Sequence, residues 1–329
     1  MATQPTSTVF EIREDLGMRF EEFDLAMNRQ GFIGHQVMPV IQRGGPSGKF
    51  PRVSIDQLLQ NLGTRRSPDG AYSRSTREWD DDNYETAEYG LEATLDDRTI
   101  KRYDDIIDAE VFEGEVIENA LLMDYERAVA DHIFNATTFS GKTSAVGTEW
   151  STIASADPVA DIRAKVQSIR LASGVKPNAL VVNDLVFDNL INCTNVIDKL
   201  KYQGFQDARP GEISRQALAI SLNIDEVIVA GGVYNTLPPG VDATLADIWS
   251  NEYALLARVA KTSSPMERCI GRTIQWDEEG TSDGGGMSVI AETYYEDSRR
   301  GGVLRRRTDW GLKDLFLECG WLFSNITAP

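Results

Sequence analysis

Residues able to carry covalent chemistry are few in this chain. It has two histidines, His35 and His132, and three cysteines, Cys193, Cys269 and Cys319. A Ser-His-Asp or Cys-His relay needs an imidazole to take the nucleophile's proton, so any such relay must use one of these two. Neither lies in a recognisable local motif: His35 falls in a β-rich connector and His132 within a long helical stretch, so both read as structural. The cysteines are odd in number, widely spaced and without a CxxC pair, which indicates three reduced thiols and neither a disulfide framework nor a thiolate zinc site.

Other motifs fall short in the same way. Gly44-Gly45-Pro46-Ser47-Gly48-Lys49-Phe50 imitates a phosphate loop, but the spacing is one residue short and Phe50 stands where Ser or Thr must meet magnesium, so it reads as a turn. Asp80-Asp81-Asp82 and Asp277-Glu278-Glu279 lack the alternating ligand spacing, glycine and distal glutamate of a calcium loop, and read as solvated acidic segments. Gly284-Gly285-Gly286 precedes a strand and opens no helix, so it cradles no dinucleotide. Arg305-Arg306-Arg307 is the strongest basic cluster, yet on a strand its side chains alternate between faces, which favours ion pairs within or between subunits over a nucleic-acid patch. No catalytic, cofactor-binding or metal-binding residue is therefore assigned.

The elements that would have to position a site are more informative. The 329 residues are 41% hydrophobic and 26% charged, enough for a large core, and no apolar run is long enough to cross a bilayer. With 33 basic against 51 acidic residues the net charge is −18, which disfavours general binding to phosphates and suits a surface that lets a polyanion slide past. Residues 1–28 read as a polar tail and a short helix whose Phe20, Phe23 and Met27 have no partner of their own, so the segment is expected to be an arm lying on another surface. Gly31–Ile41 reads as a β-rich connection ending in the Gly44–Gly48 turn.

Between Gly48 and Asp97 a long two-stranded excursion is expected. It has a strand over Lys49–Ile55, a polar middle with Arg65-Arg66-Ser67-Pro68-Asp69-Gly70, and a return strand over Tyr84–Leu95 whose two faces alternate throughout. From Asp104 to Thr138 the spacing of Ile117, Leu121, Tyr125, Ala128 and His132 predicts one helix; about 30 residues would span roughly 45 Å. Asp157-Pro158 opens a further helix that stops at Ser173-Gly174, followed by a strand over Ala179–Val182 and helices over Leu185–Ile191 and Ser214–Leu222. Strands are expected at Val227–Ala230, Tyr253–Ala260, Arg272–Trp276, Met287–Tyr295 and Val303–Thr308. The fold class is α+β, without the alternation of a doubly wound sheet.

The order of these elements resembles the tailed-bacteriophage major capsid proteins of the Hong Kong 97 type. Phe32-Ile33-Gly34-His35-Gln36-Val37-Met38-Pro39-Val40 is similar to the stretch joining the family's N-terminal arm to its extended loop. Gly48-Lys49-Phe50-Pro51-Arg52-Val53 resembles the opening of that loop, Arg66-Ser67-Pro68-Asp69-Gly70 its tip, and Asp96-Asp97-Arg98 the exit toward the long spine helix. Ser173-Gly174-Val175-Lys176-Pro177-Asn178-Ala179-Leu180-Val181-Val182 resembles a recurrent strand entry, so the likeness spans essentially the whole chain.

The resemblance implies an arm at 1–43, an extended loop at 44–96, a peripheral domain with the spine helix at 97–210, an axial domain at 211–286 and a return to the peripheral domain at 287–329. It implies a structural head protein, not an enzyme and without cofactors, that forms pentamers and hexamers and an icosahedral shell around double-stranded DNA. Expected partners are further copies, a separate scaffolding protein, a portal and a decoration protein, with DNA held without sequence specificity and no membrane. The expected location is the virion, after assembly in the host cytoplasm. An encapsulin-like bacterial nanocompartment is the alternative. Lys49 lies at the loop base and not its tip, which argues against the cross-link of some relatives. Expected contacts between subunits are Phe20, Phe23 and Met27 of the arm, and Arg65, Arg66, Arg74 and Arg77 of the loop. The loop arginines would face Asp108, Glu110, Glu113, Glu115 and Glu118 of a neighbour's spine helix.

Overall fold

A computed structural model describes residues 11–12, 31–61, 64–66, 68, 70–72, 74, 76, 78, 80–103, 108–202, 215–238, 240–264, 267–276 and 287–327. The first part of the chain runs through β1 (Glu11–Ile12), a helical turn (Gly34–Val37), β2 (Val40–Arg43), β3 (Ser47–Arg52), a short helix (Ile55–Leu59), β4 (Asp80–Glu85) and β5 (Ala87–Asp96). Helices Asp97–Tyr103 and Ala109–Ile133 follow, then β6 (Thr143–Ala145), helix Pro158–Ser173, β7 (Ala179–Asn183) and helices Asp184–Asn192, Thr194–Tyr202 and Arg215–Leu222. The remainder is strand-rich: β8 (Glu226–Ala230), β9 (Val233–Asn235), β10 (Leu245–Asp247), β11 (Ala254–Ala257), β12 (Gly271–Trp276), β13 (Ile290–Glu296), β14 (Gly301–Asp314) and β15 (Gly320–Ser324).

Local chemistry sets several helix ends. The Asp157 carboxylate accepts from the Ala160 amide at 3.0 Å, Pro158 fills the first turn, and Gly174 closes the helix at φ 75°, a left-handed conformation that favours glycine. The long helix is shorter than its periodicity suggests. Asp108 caps it by accepting from the Glu110 and Val111 amides, so this helix starts at Ala109, and its 25 residues span about 37 Å. Residues 104–107, read as part of the same helix, lie outside the described residues. Its buried stripe runs through Ile117, Leu121, Tyr125, Val129 and Ile133, leaving His132 at the margin, where Nε2 lies 2.7 Å from Asp314 Oδ1.

Two sheets hold the core. The first has strand order β6-β15-β11-β7-β8, with β7–β8 and β15–β6 parallel and the other pairs antiparallel. β7 reads Ala-Leu-Val-Val-Asn and is buried on both faces. Leu180 and Val182 face a helical layer through Ile162, Val166, Ile169, Leu190, Val196 and Leu218, while Ala179 and Val181 face the long helix through Tyr125, Val129 and Ile133. A sheet sandwiched between helices needs such an unbroken apolar run, unlike a half-exposed strand. It takes β6 and β7 from segment 97–210, β8 and β11 from 211–286 and β15 from 287–329, so one sheet crosses all three.

The second sheet has order β1-β13-β14-β12-β2, with β5 also paired to β14. β14 is longer than the expected Val303–Thr308: residues 301–307 pair with β13, 301–310 with β5 and 310–314 with β12. Leu95 and Leu304 pack from it onto Ile117 and Leu121 of the long helix.

The excursion differs from a plain two-stranded ribbon. β3 and β4 pair from Ser47↔Glu85 to Arg52↔Asp80, but the outgoing limb turns into the Ile55–Leu59 helix. The return limb breaks at Thr86, whose amide and hydroxyl both donate to the Pro46 carbonyl at 2.8 and 3.1 Å. Half-buried positions shift there from Asp82, Tyr84 and Thr86 to Tyr89, Ala93 and the buried Leu95, so the alternation changes face. Glycine is required opposite the break, because a Cβ on Gly311 would come within 2.2 Å of the Glu85 carbonyl oxygen. The Gly31–Ile41 connection, expected to be extended, is the helical turn Gly34–Val37 followed by β2. No described helix is long and apolar enough to cross a membrane.

Candidate functional site

Three groups of side chains fix the parts of the chain that reach away from the core. The first holds residues 31–38. Both oxygens of the buried Glu126 carboxylate accept backbone amides, Oε1 from Ile33 and Oε2 from Gly34, each at 2.7 Å, and Oε1 also accepts the Trp249 indole N–H at 2.7 Å. Burial pushes the carboxyl above the ordinary range, and the three donors pull it back by favouring the ionised form. Next to it the Tyr125 and Thr273 hydroxyls share a hydrogen bond at 2.8 Å, and the Met38 carbonyl accepts from this pair, 3.0 Å from Thr273 Oγ1 and 3.4 Å from Tyr125 Oη.

The second group is a stack of rings at the loop base. Tyr89 of β5 lies 4.3 Å from Trp310 of β14 with planes 10° apart, and Tyr125 meets Trp310 edge-on at 5.2 Å. The third is charged. Arg306, 3% exposed, turns toward the long helix and pairs with Glu118. On the opposite face of β14, Arg305 pairs with Glu92 at 2.6 Å, and Arg307 with Glu292 at 2.9 Å. The three arginines thus alternate as a strand requires and form ion pairs within the chain.

The expected contact residues are distributed as follows. Phe20, Phe23, Met27 and Arg77 lie outside the described residues, as do the acidic run Asp277-Glu278-Glu279 and Gly284-Gly285-Gly286. Arg65, Arg66 and Arg74 are exposed at the loop tip, where the Arg66 guanidinium lies 4.7 Å from the Tyr72 ring centre and Nε donates to the Gly70 carbonyl at 2.6 Å. Tyr72 is itself 73% exposed. On the long helix Asp108 is exposed and spends its carboxylate on the cap, while Glu110 and Glu113 are half-buried. Glu115 is buried and Glu118 is engaged by Arg306, so these two face inward. Beside Glu113, Phe112 and Val116 present an exposed apolar pair one helical turn apart. Lys49 meets Asp81 at 2.7 Å on the open ribbon.

Glu126 was not singled out from the sequence, although a signal exists: it follows Tyr125 directly and precedes Val129 by three, so it falls on the helix's apolar stripe. An acid in that position calls for buried donors, which only the fold reveals as the Ile33 and Gly34 amides and Trp249.

No family profile matches the sequence. The chain is similar to the major capsid protein of Burkholderia phage BcepMu, 24% identical over 312 residues covering 90% of this chain and 92% of that one. Its fold is similar to that of a phage-related protein from Bordetella bronchiseptica RB50, at TM-score 0.68 and 16% identity over 98% of this chain and 99% of the other. It is also similar to the capsid structure of the cyanophage P-SCSP1u, at TM-score 0.57 and 12% identity over 88% and 86%. The class these likenesses define is a capsid fold. The chain has the α+β capsid fold of the Hong Kong 97 type, with the long Ala109–Ile133 helix as its spine.

Proposed function

We infer that this chain is the major capsid protein of a tailed bacteriophage, a structural subunit that assembles as pentamers and hexamers into an icosahedral shell around double-stranded DNA, and is not an enzyme. The observation that carries this is the likeness to a phage major capsid protein along nine-tenths of both chains, joined to a fold shared with a cyanophage capsid over 88% of the chain. That sequence relationship favours a phage head over an encapsulin-like compartment.

The physical logic of the chain agrees with a subunit that completes itself on neighbours. The β3–β4 ribbon and the loop tip carry exposed Arg65, Arg66, Tyr72 and Arg74 with little core beneath them. The arm's Phe20, Phe23 and Met27 need an apolar surface. We assign the arm to 1–43, the extended loop to 44–96, the peripheral part to 97–210 and 287–329, and the axial part to 211–286. The loop arginines meet Asp108, Glu110 and Glu113 of a neighbour, where Phe112 and Val116 offer apolar surface to Tyr72. A scaffolding protein, portal and decoration protein complete the assembly, which takes place in the host cytoplasm. DNA is enclosed without sequence-specific contacts, consistent with a net charge of −18. Weak contacts repeated through a closed shell sum to a stable container.

Electron microscopy of the purified chain, alone and co-expressed with its scaffold, should show shells or capsomers. A monodisperse monomer at high concentration under both conditions would overturn the assignment. Deleting residues 2–28 should leave a soluble core that closes shells poorly, and normal shells from that truncation would remove the arm's role.

A further inference from the structure

We propose that Glu126 is a positioning residue for assembly, the anchor that sets the direction in which the arm and the extended loop leave the body of the subunit. The inference rests on the capsid reading and goes beyond it by naming what aims those appendages. Residues 31–38 lie toward the end of the arm, just before β2 and the Gly44–Gly48 turn lead from Val40 into the loop. Glu126 grips the near end of this segment through the Ile33 and Gly34 amides. Tyr125, acting through Thr273, grips the far end at the Met38 carbonyl. Two consecutive residues of the spine helix therefore fix both ends of the segment.

The surroundings leave no slack for another arrangement. A Cβ on Gly34 would stand 2.6 Å from Glu126 Oε2, and one on Gly31 would stand 2.5 Å from the Gly231 backbone, where the Gly231 amide already donates to the Gly31 carbonyl at 3.2 Å. Ile33, Val37 and Met38 are buried in the core shared with Val129 and Ile133, so apolar packing holds the segment's depth. Packing is non-directional, however, and the hydrogen bonds that the Ile33 and Gly34 amides donate to Glu126 are what fix its rotation about the helix. Trp249 completes the set of three donors and ties the strand-rich half of the chain to the same carboxylate.

Glu126→Gln tests this, because it keeps the shape but replaces one acceptor oxygen with an NH2 that faces donors. Val129→Ala, on the same buried stripe, is the control for lost stability alone. Full-length variants are compared by hydrogen exchange over residues 31–38 and by the yield of closed shells at a temperature where each is folded. The expected result is faster exchange in that segment and a severalfold loss of closed shells for Glu126→Gln, with Val129→Ala retaining normal shells. If Glu126→Gln does not fold, Gly34→Ala displaces the anchor while keeping the carboxylate, and the same loss is expected. Normal shells from whichever of the two folds, or an equal loss from Val129→Ala, would overturn the anchor alone. Failure of the unmodified chain to form shells would overturn the capsid reading as well.

Discussion

Glu118 of the long helix and Arg306 of β14 pair inside one subunit, bridging the helix and the centre of the six-stranded sheet beside the Gly114 backbone. Removing one partner of a buried pair strands the other charge, so Arg306→Ala should cost about 3–5 kcal/mol. Chemical denaturation of the isolated subunit reads this directly. A loss below about 1 kcal/mol would mean the pair is solvated and structurally idle.

The same pair narrows the partners of the loop tip. Reversing Arg65 and Arg66 to Glu should weaken assembly, more at low salt where repulsion is less screened, each lost contact being worth about 0.2–1 kcal/mol and multiplied around every capsomer. Rescue should come from Glu110→Lys with Glu113→Lys, and not from changes at Glu115 or Glu118, which face inward. Light scattering against salt concentration distinguishes these outcomes; unchanged assembly of the reversal at low salt would assign the loop to packing instead.

Tyr89→Ala should free the base of the loop by removing a ring stacked 4.3 Å from Trp310. The stack contributes about 0.5–1.5 kcal/mol beyond burial, so global stability should drop modestly while proteolysis between residues 44 and 96 accelerates. Cleavage at the wild-type rate would show that the β3–β4 ribbon, and not the ring stack, holds the loop.

Burial pushes the Cys319 thiol up to about 11 and raises that of Cys269 as well. At pH 8 neither should react with iodoacetamide in the folded subunit, and both should react in guanidinium. Because the folded values exceed the unfolded ones, their contribution to stability is full below about pH 8.5 and is lost as pH rises toward 11. Mass spectrometry after brief labelling, and a stability curve from about pH 8 upward, check the two halves of this expectation.

Much of the framework was legible in the sequence because local rules acted unopposed. Asp157-Pro158 and Gly174 bounded a helix through capping and a glycine stop, and the apolar run Ala179–Val182 announced a strand. What escaped were features decided by distant residues. The return limb's alternation looked continuous because nothing near Thr86 reveals that Pro46 will take its amide and hydroxyl. Gly34–Val37 looked extended, since a single helical turn has no intrinsic stability and forms here with Glu126 holding its first amides. The acids of the spine helix all looked like surface charge; only the fold, which buries Glu115 and sets Arg306 against Glu118, separates those two from Glu110 and Glu113.

The last strands of the chain occupy interior places in both sheets: β14 lies between β5 and β13, and β15 between β6 and β11. Each sheet therefore lacks an interior strand until residues 301–324 have emerged from the ribosome, and the earlier strands wait without those partners. A chain that stops before residue 301 lacks an interior strand of each sheet. The order of synthesis thus runs against the order of the sheets: flanking strands are made first and an interior strand of each is laid between them afterwards.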